Sequence, residues 1–196
     1  MRLIVGLGNP GREYELSRHN AGFLVLDHWS EKRGLAFRHD ELFDFVRAGN
    51  ACLIKPKTYM NRSGRALSEA LRRWQPEEIL VVHDDIELPL AQLRLRNGGG
   101  AGGHNGLKSL FQIMSPEDLR RLRLGIGRDE GDPRDFVLDR FTPEELEAMR
   151  PVLEQAGDYL EVFIKEGFNA VLDAFSRWKK SCSGAEDPGN IGPKEK

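Results

Sequence analysis

The chain runs to 196 residues, 39% of them hydrophobic and 31% charged, with a formal net charge of −2. That suits one domain with a substantial core, and no apolar run is long enough to span a bilayer. Two cysteines, Cys52 and Cys182, exclude a disulfide framework and a zinc site; with a start that lacks signal-peptide character they point to a reducing cytoplasm.

Apolar runs of strand type are expected at residues 3–7, 43–46, 52–54, 79–82, 93–95, 122–126 and 136–138, the second and last of these being short. Helical periodicity falls at 20–32, 63–74, 107–114, 142–166 and 168–179. Thr142-Pro143-Glu144-Glu145 is a helix start with cap, first-turn proline and capping-box glutamate. Pro151 is expected to kink or interrupt that helix, and Gly167 to separate it from the last one. Arg94 and Arg96 alternate with leucines, as on a half-exposed strand. Strands alternating with helices predict a single α/β domain over residues 1–180, its sheet covered on both faces. Residues 181–196, rich in Ser, Gly, Pro and charge, read as a flexible tail.

The charge is unevenly spread. Residues 1–128 carry 20 Lys and Arg against 15 Asp and Glu, and residues 129–196 carry 9 against 16. A basic footprint for an anionic partner therefore stays open beside the reading of an ordinary solvated surface.

Six glycines occur in the nine residues from Gly98 to Gly106, with His104 and Asn105 among them. Glycine loses more backbone entropy on folding than any other residue, so such a cluster implies special turns or close approach of a ligand. It lacks the Gly-Lys-Ser/Thr ending of a phosphate loop. Gly6-Leu7-Gly8-Asn9-Pro10-Gly11 matches the letters of a dinucleotide fingerprint. Its context fails, because residues 10–14 read as a turn, the helix begins only near Asn20, and no acidic residue ends a second strand at the right distance. No Gly-x-Ser-x-Gly elbow is present. His83-Asp84-Asp85 has no second histidine at ligand spacing, which argues against a metal.

Two kinds of group remain. His19, just before a helix, is a candidate general base, and Asp84, at a strand end, could fix its tautomer and stabilise its protonated form; a helix-capping or structural histidine fits the same position. Asn9, Asn61 and Asn105 stand at junctions of loops with elements, where asparagine serves turns but also recognises peptide-like groups. His104 reads as a structural loop residue, since His19 already fills the role of base.

Taken in order, six segments closely resemble the bacterial peptidyl-tRNA hydrolase family, over about residues 2–180. They are Val5-Gly6-Leu7-Gly8-Asn9-Pro10-Gly11; Tyr14 with Ser17-Arg18-His19-Asn20-Ala21-Gly22; Pro56-Lys57-Thr58-Tyr59-Met60-Asn61-Arg62-Ser63-Gly64; His83-Asp84-Asp85; Gly102-Gly103-His104-Asn105-Gly106-Leu107; and Arg121-Leu122-Arg123-Leu124-Gly125-Ile126-Gly127. The resemblance implies a single domain with a mixed, mostly parallel twisted sheet. It implies hydrolysis, without cofactor, of the ester joining a peptide or N-blocked amino acid to the 3′ end of tRNA, by a cytoplasmic monomer. By the same resemblance His19 is the base, Asp84 its partner, and Asn61 and Asn105 hold the substrate and developing oxyanion. Asn9 spares unblocked aminoacyl-tRNA, Tyr14 and Tyr59 line the site of the tRNA 3′ end, and Arg96 and Arg123 contact phosphate. A non-catalytic RNA-binding or splicing cofactor of the same fold is the alternative. The chain departs from the pattern at Glu87, where aspartate is commoner, at Ala91, where a turn glycine is common, and at Asp129, where proline is usual. These departures bear on loop shape more than on chemistry.

Overall fold

Leu3, Ile4 and Val5 point alternately to opposite faces of a strand, and all three are fully buried. This strand therefore lies inside a sheet covered on both sides. The structure, a computed structural model, describes residues 1–183. In it β1 (Arg2–Gly6) sits at the centre of a seven-stranded sheet of order β2-β3-β4-β1-β5-β7-β6. The strands are β2 (Arg38–His39), β3 (Phe43–Ala48), β4 (Ala51–Pro56), β5 (Glu78–Asp85), β6 (Leu93–Asn97) and β7 (Arg120–Gly125). The four inner strands, β4-β1-β5-β7, run parallel, and antiparallel pairs flank them on each side.

One face of the sheet, with Ile4, Leu53, Leu80 and Leu122, packs against α1 (Ala21–Glu31), α5 (Pro143–Glu166) and α6 (Phe168–Ser183). The other, with Leu3, Val5 and Ile54, packs against α2 (Ser63–Trp74) and α3 (Asn105–Leu110). Gly22 lets α1 lie on the sheet, since a Cβ there would stand 2.4 Å from the Val82 carbonyl and 2.5 Å from the Leu7 nitrogen. No helix among the described residues is long and apolar enough to cross a membrane.

Two expectations need correction. Residues 136–138 form no strand; they end α4 (Pro133–Leu138), started by Asp132, whose side chain accepts from the Arg134 N–H, and by Pro133 in the first turn. α5 runs through Pro151 uninterrupted. Pro151 and Glu147 both lie on its exposed face, where a carbonyl deprived of its helical partner meets water. α6 continues to Ser183, past the expected domain limit at 180, and residues 184–196 of the expected tail lie outside the described residues.

The departure at Ala91 has a local consequence. Residues 89–92 form a turn closed by Gln92 N–H on the Pro89 carbonyl at 3.3 Å, and Ala91, third in that turn, has φ +61°. A Cβ in left-handed backbone costs about 1–2 kcal/mol, partly offset by the greater freedom of glycine in the unfolded chain. Ala91→Gly is therefore expected to raise stability by roughly 0.5–1 kcal/mol, seen as a higher urea midpoint at unchanged slope.

Candidate active site

The carboxyl ends of parallel strands are where open α/β sheets gather ligands, and the site is built there. Asn9 follows β1, Asn61 follows β4, and Asp84 lies near the end of β5. His19 sits in a 3-10 turn, Arg18–Asn20, that leads into α1. Its Nδ1–H donates to Asp84 Oδ1 at 2.9 Å and approaches Oδ2 at 3.0 Å. Nε2 of the same ring has no partner among the described residues and faces the cleft.

His104 completes the arrangement. Its Nδ1 accepts the N–H groups of Gly106 and Leu107 at 3.1 and 3.3 Å, capping α3. An acceptor at Nδ1 puts the proton of the neutral ring on Nε2, which donates to Asp84 Oδ1 at 3.0 Å. Asp84, 2% exposed, thus receives an imidazole N–H from each side. The His19 and His104 rings lie 4.7 Å apart, and His83 stands edge-on to His104 at 5.0 Å.

Burial disfavours protonated His19, yet the charge of Asp84 and its hydrogen bond prevail and raise the ring's pKa above its usual 6.5. Burial likewise disfavours ionised Asp84, but the imidazoles beside it hold its carboxyl well below the usual range. Burial, followed by the proximity of His104, drives His83 well down, so it stays neutral.

His19, Asp84 and His104 are also the one group among the described residues whose ligand atoms, within 4.8 Å of one another, have the spacing of a metal site. The capping bonds tell against that use, because they leave the His104 proton on the nitrogen a metal would need.

Asn9, 6% exposed, accepts the Met60 N–H on Oδ1 at 2.8 Å. That bond fixes the flip of the amide, so Nδ2 is the donor left for the cleft. Around these groups opens a cleft of about 440 Å³, lined by Asn9, His19, Tyr59, Asn61, Asp84 and Asn105, with Arg96 and Arg123 on its basic side. The Asn61 and Asn105 amides have no hydrogen-bond partner among the described residues, and both residues are exposed. Arg123 donates from Nε to Asp85 Oδ2 at 2.5 Å. Arg96 is exposed, with no ion pair among the described residues.

A model of the family described as peptidyl-tRNA hydrolase matches residues 3–183. The chain belongs to that family. The peptidyl-tRNA hydrolase of Chloroflexus aggregans is 43% identical, over 90% of this chain and 99% of the relative. That of Carboxydothermus hydrogenoformans is 42% identical, over 90% and 99%. The crystal structure of peptidyl-tRNA hydrolase from Acinetobacter baumannii superposes with a TM-score of 0.78 at 33% identity, over 87% of this chain and 94% of that one.

Within this peptidyl-tRNA hydrolase fold, all the site residues expected from sequence line the cleft except Tyr14. Tyr14 lies half-buried in the 3-10 turn Arg12–Tyr14, outside the lining. Two supporting residues escaped the sequence reading although both stand beside His19. Asn20 clasps Asn9, accepting its N–H at 2.8 Å and donating to its carbonyl at 2.9 Å. Arg18, 7% exposed, lies over the Phe136 ring at 4.3 Å and donates to Glu145 at 2.7 Å, tying the turn that carries His19 to α4 and the start of α5. Nothing in the sequence singled out Arg18, because its polar neighbours Ser17, His19 and Asn20 give no sign that the segment is buried. His104, read as structural, both caps a helix and hydrogen-bonds Asp84.

Proposed function

We propose that the cleft hydrolyses the ester joining a peptide, or an N-blocked amino acid, to the 3′ end of tRNA, by activating water without a cofactor. The observation that carries this reading is Asp84 holding the Nδ1–H of His19 while Nε2 stays open to the cleft. Nε2 takes a proton as water attacks the ester carbonyl, and Asp84 stabilises the imidazolium formed. The Asn61 and Asn105 amides donate to the carbonyl oxygen as it becomes an oxyanion. When the C–O bond breaks, His19 returns its proton to the leaving 3′ oxygen of the ribose.

Asn9 presents N–H rather than oxygen to the cleft. It can donate to a peptide carbonyl and has nothing to offer a free α-ammonium, which is itself only a donor. Tyr59, 55% exposed at the rim, provides a face for an unpaired base of the tRNA 3′ end. Tyr14 would meet tRNA only from outside the cleft. Arg96 is free for phosphate, while Arg123 is held in place by Asp85. Charged Arg94 and Arg96 on the β6 edge discourage strand pairing between copies, in keeping with a monomer, and the buried free thiol of Cys52 suits the cytoplasm. Every relative named above is a hydrolase, so the RNA-binding alternative finds no support.

The test offers the protein N-acetyl-aminoacyl-tRNA and unblocked aminoacyl-tRNA. Release of the blocked amino acid alone is expected; folded protein that releases neither would overturn the reading. For the basic side, Arg96→Ala is expected to weaken tRNA binding and flatten the log–log salt slope by about one unit. An unchanged slope in a salt titration would remove Arg96 from the phosphate contacts.

A further inference from the structure

In the antiparallel pair of β6 and β7, Arg96 lies opposite Arg121 and Arg94 opposite Arg123. Like charges directly opposed weaken such a pair, so this face needs other support. Asp85 supplies it for Arg123. Arg121 forms no ion pair among the described residues, although the charge of Asp85 reaches it. Its side chain, in a residue 2% exposed, donates from Nη1 to the Gly100 carbonyl at 2.9 Å and from Nη2 to the Gly98 carbonyl. Burial, with the charges of Arg96 and Arg123, lowers its pKa to about 10, leaving it cationic at neutral pH.

These two carbonyls begin the glycine loop, where Gly98 and Gly99 have φ of +67° and +87°. The far end of the loop is held by His104, whose N–H bonds the Ala101 carbonyl at 3.0 Å and whose ring caps α3. Between the two ends, Gly102 and Gly103 touch nothing within 4 Å of where a Cβ would be. The loop is thus anchored at its ends, with Ala101 packed on the core between them, and open at Gly102 and Gly103. Asn105 follows directly on the second anchor.

We propose that Arg121 is a positioning residue: by gripping the Gly98 and Gly100 carbonyls it fixes the loop that brings His104 to Asp84 and Asn105 to the cleft. The proposal rests on the oxyanion role given to Asn105 above. Arg121 differs from Arg96 in kind, since both of its terminal nitrogens are engaged inside the protein and a phosphate would have to displace a carbonyl.

Arg121→Lys keeps the charge but cannot span both carbonyls, and Arg121→Gln removes the charge as well. With N-acetyl-aminoacyl-tRNA, the lysine variant is expected to lose about tenfold or more in kcat, with KM and salt slope as in the parent. In an Asn105→Ala background the same substitution is expected to cost much less, because both act on one group. A raised KM with a flatter salt slope at unchanged kcat would make Arg121 a phosphate contact and overturn the proposal. So would unchanged kcat in protein with native circular dichroism, or an equal loss in both backgrounds. If Asn105→Ala alone leaves kcat intact, the oxyanion reading is what fails. Arg121 then stands only if Arg121→Lys moves the acid limb of the pH profile as His104→Ala does, and falls if that limb stays put.

Discussion

Replacing His19 with alanine is expected to lower kcat by about 10²–10⁴-fold, the range of a positioned general base, with little change in KM for N-acetyl-aminoacyl-tRNA. The pH profile makes the expectation specific. A raised pKa keeps the imidazole protonated to higher pH, so the unprotonated base accumulates only above the ordinary value of 6.5. Activity in the parent protein should therefore climb through a midpoint above 6.5. Asp84→Asn removes the charge that opposes burial, so the midpoint should fall below 6.5 while the rate drops. The drop has a second cause in geometry. Both imidazole N–H groups point at Asp84 Oδ1, at 2.9 Å from His19 and 3.0 Å from His104. An asparagine oxygen there could still accept both, but its Nδ2 would take the place of Oδ2, 3.0 Å from His19 Nδ1, and set donor against donor. His19 then either turns away from the amide or adopts the other tautomer, which would place a proton on the attacking nitrogen. A profile in Asp84→Asn whose midpoint matches the parent's would show that Asp84 does not tune His19.

The alternation of strands and helices was legible because each inner strand is apolar on both faces and bounded by turn residues, as β1 and β5 illustrate. Residues 136–138 misled because Phe-Val-Leu fits either period; the deciding signal lay upstream, in Asp132 and Pro133. His19, Asp84 and the three asparagines were candidates on their own positions, but their union in one site came from resemblance, since His19, Asp84 and Asn105 are far apart in sequence and no periodicity relates them. Their states depend on contacts that one dimension cannot display. The flip of Asn9 is set by the Met60 N–H, and the tautomer of His104 by two backbone donors of α3. Ala91 was marked as a departure by comparison with the family pattern, but its strain became visible only as a dihedral angle.

The same capping bonds decide where an oxyanion can be held. The N–H groups of Gly106 and Leu107 would ordinarily make the start of α3 an anion site, yet both donate to His104 instead. On the proposed mechanism, stabilisation of the tetrahedral oxygen then falls to side-chain amides, and Asn105, exposed on the cleft with no partner among the described residues, is the amide this wall supplies. Asn105→Ala is accordingly expected to lower kcat about 10²–10³-fold, the cost of one preorganised donor, with KM nearly constant. Asn105→Asp should be slower still. It keeps the shape of the side chain but exchanges its donor for an anion facing the developing negative charge. Single-turnover rates for the three proteins should therefore fall in the order asparagine, alanine, aspartate. An aspartate variant as fast as the alanine one would mean that the group at 105 does not face the oxyanion, and that Asn61 alone stabilises it.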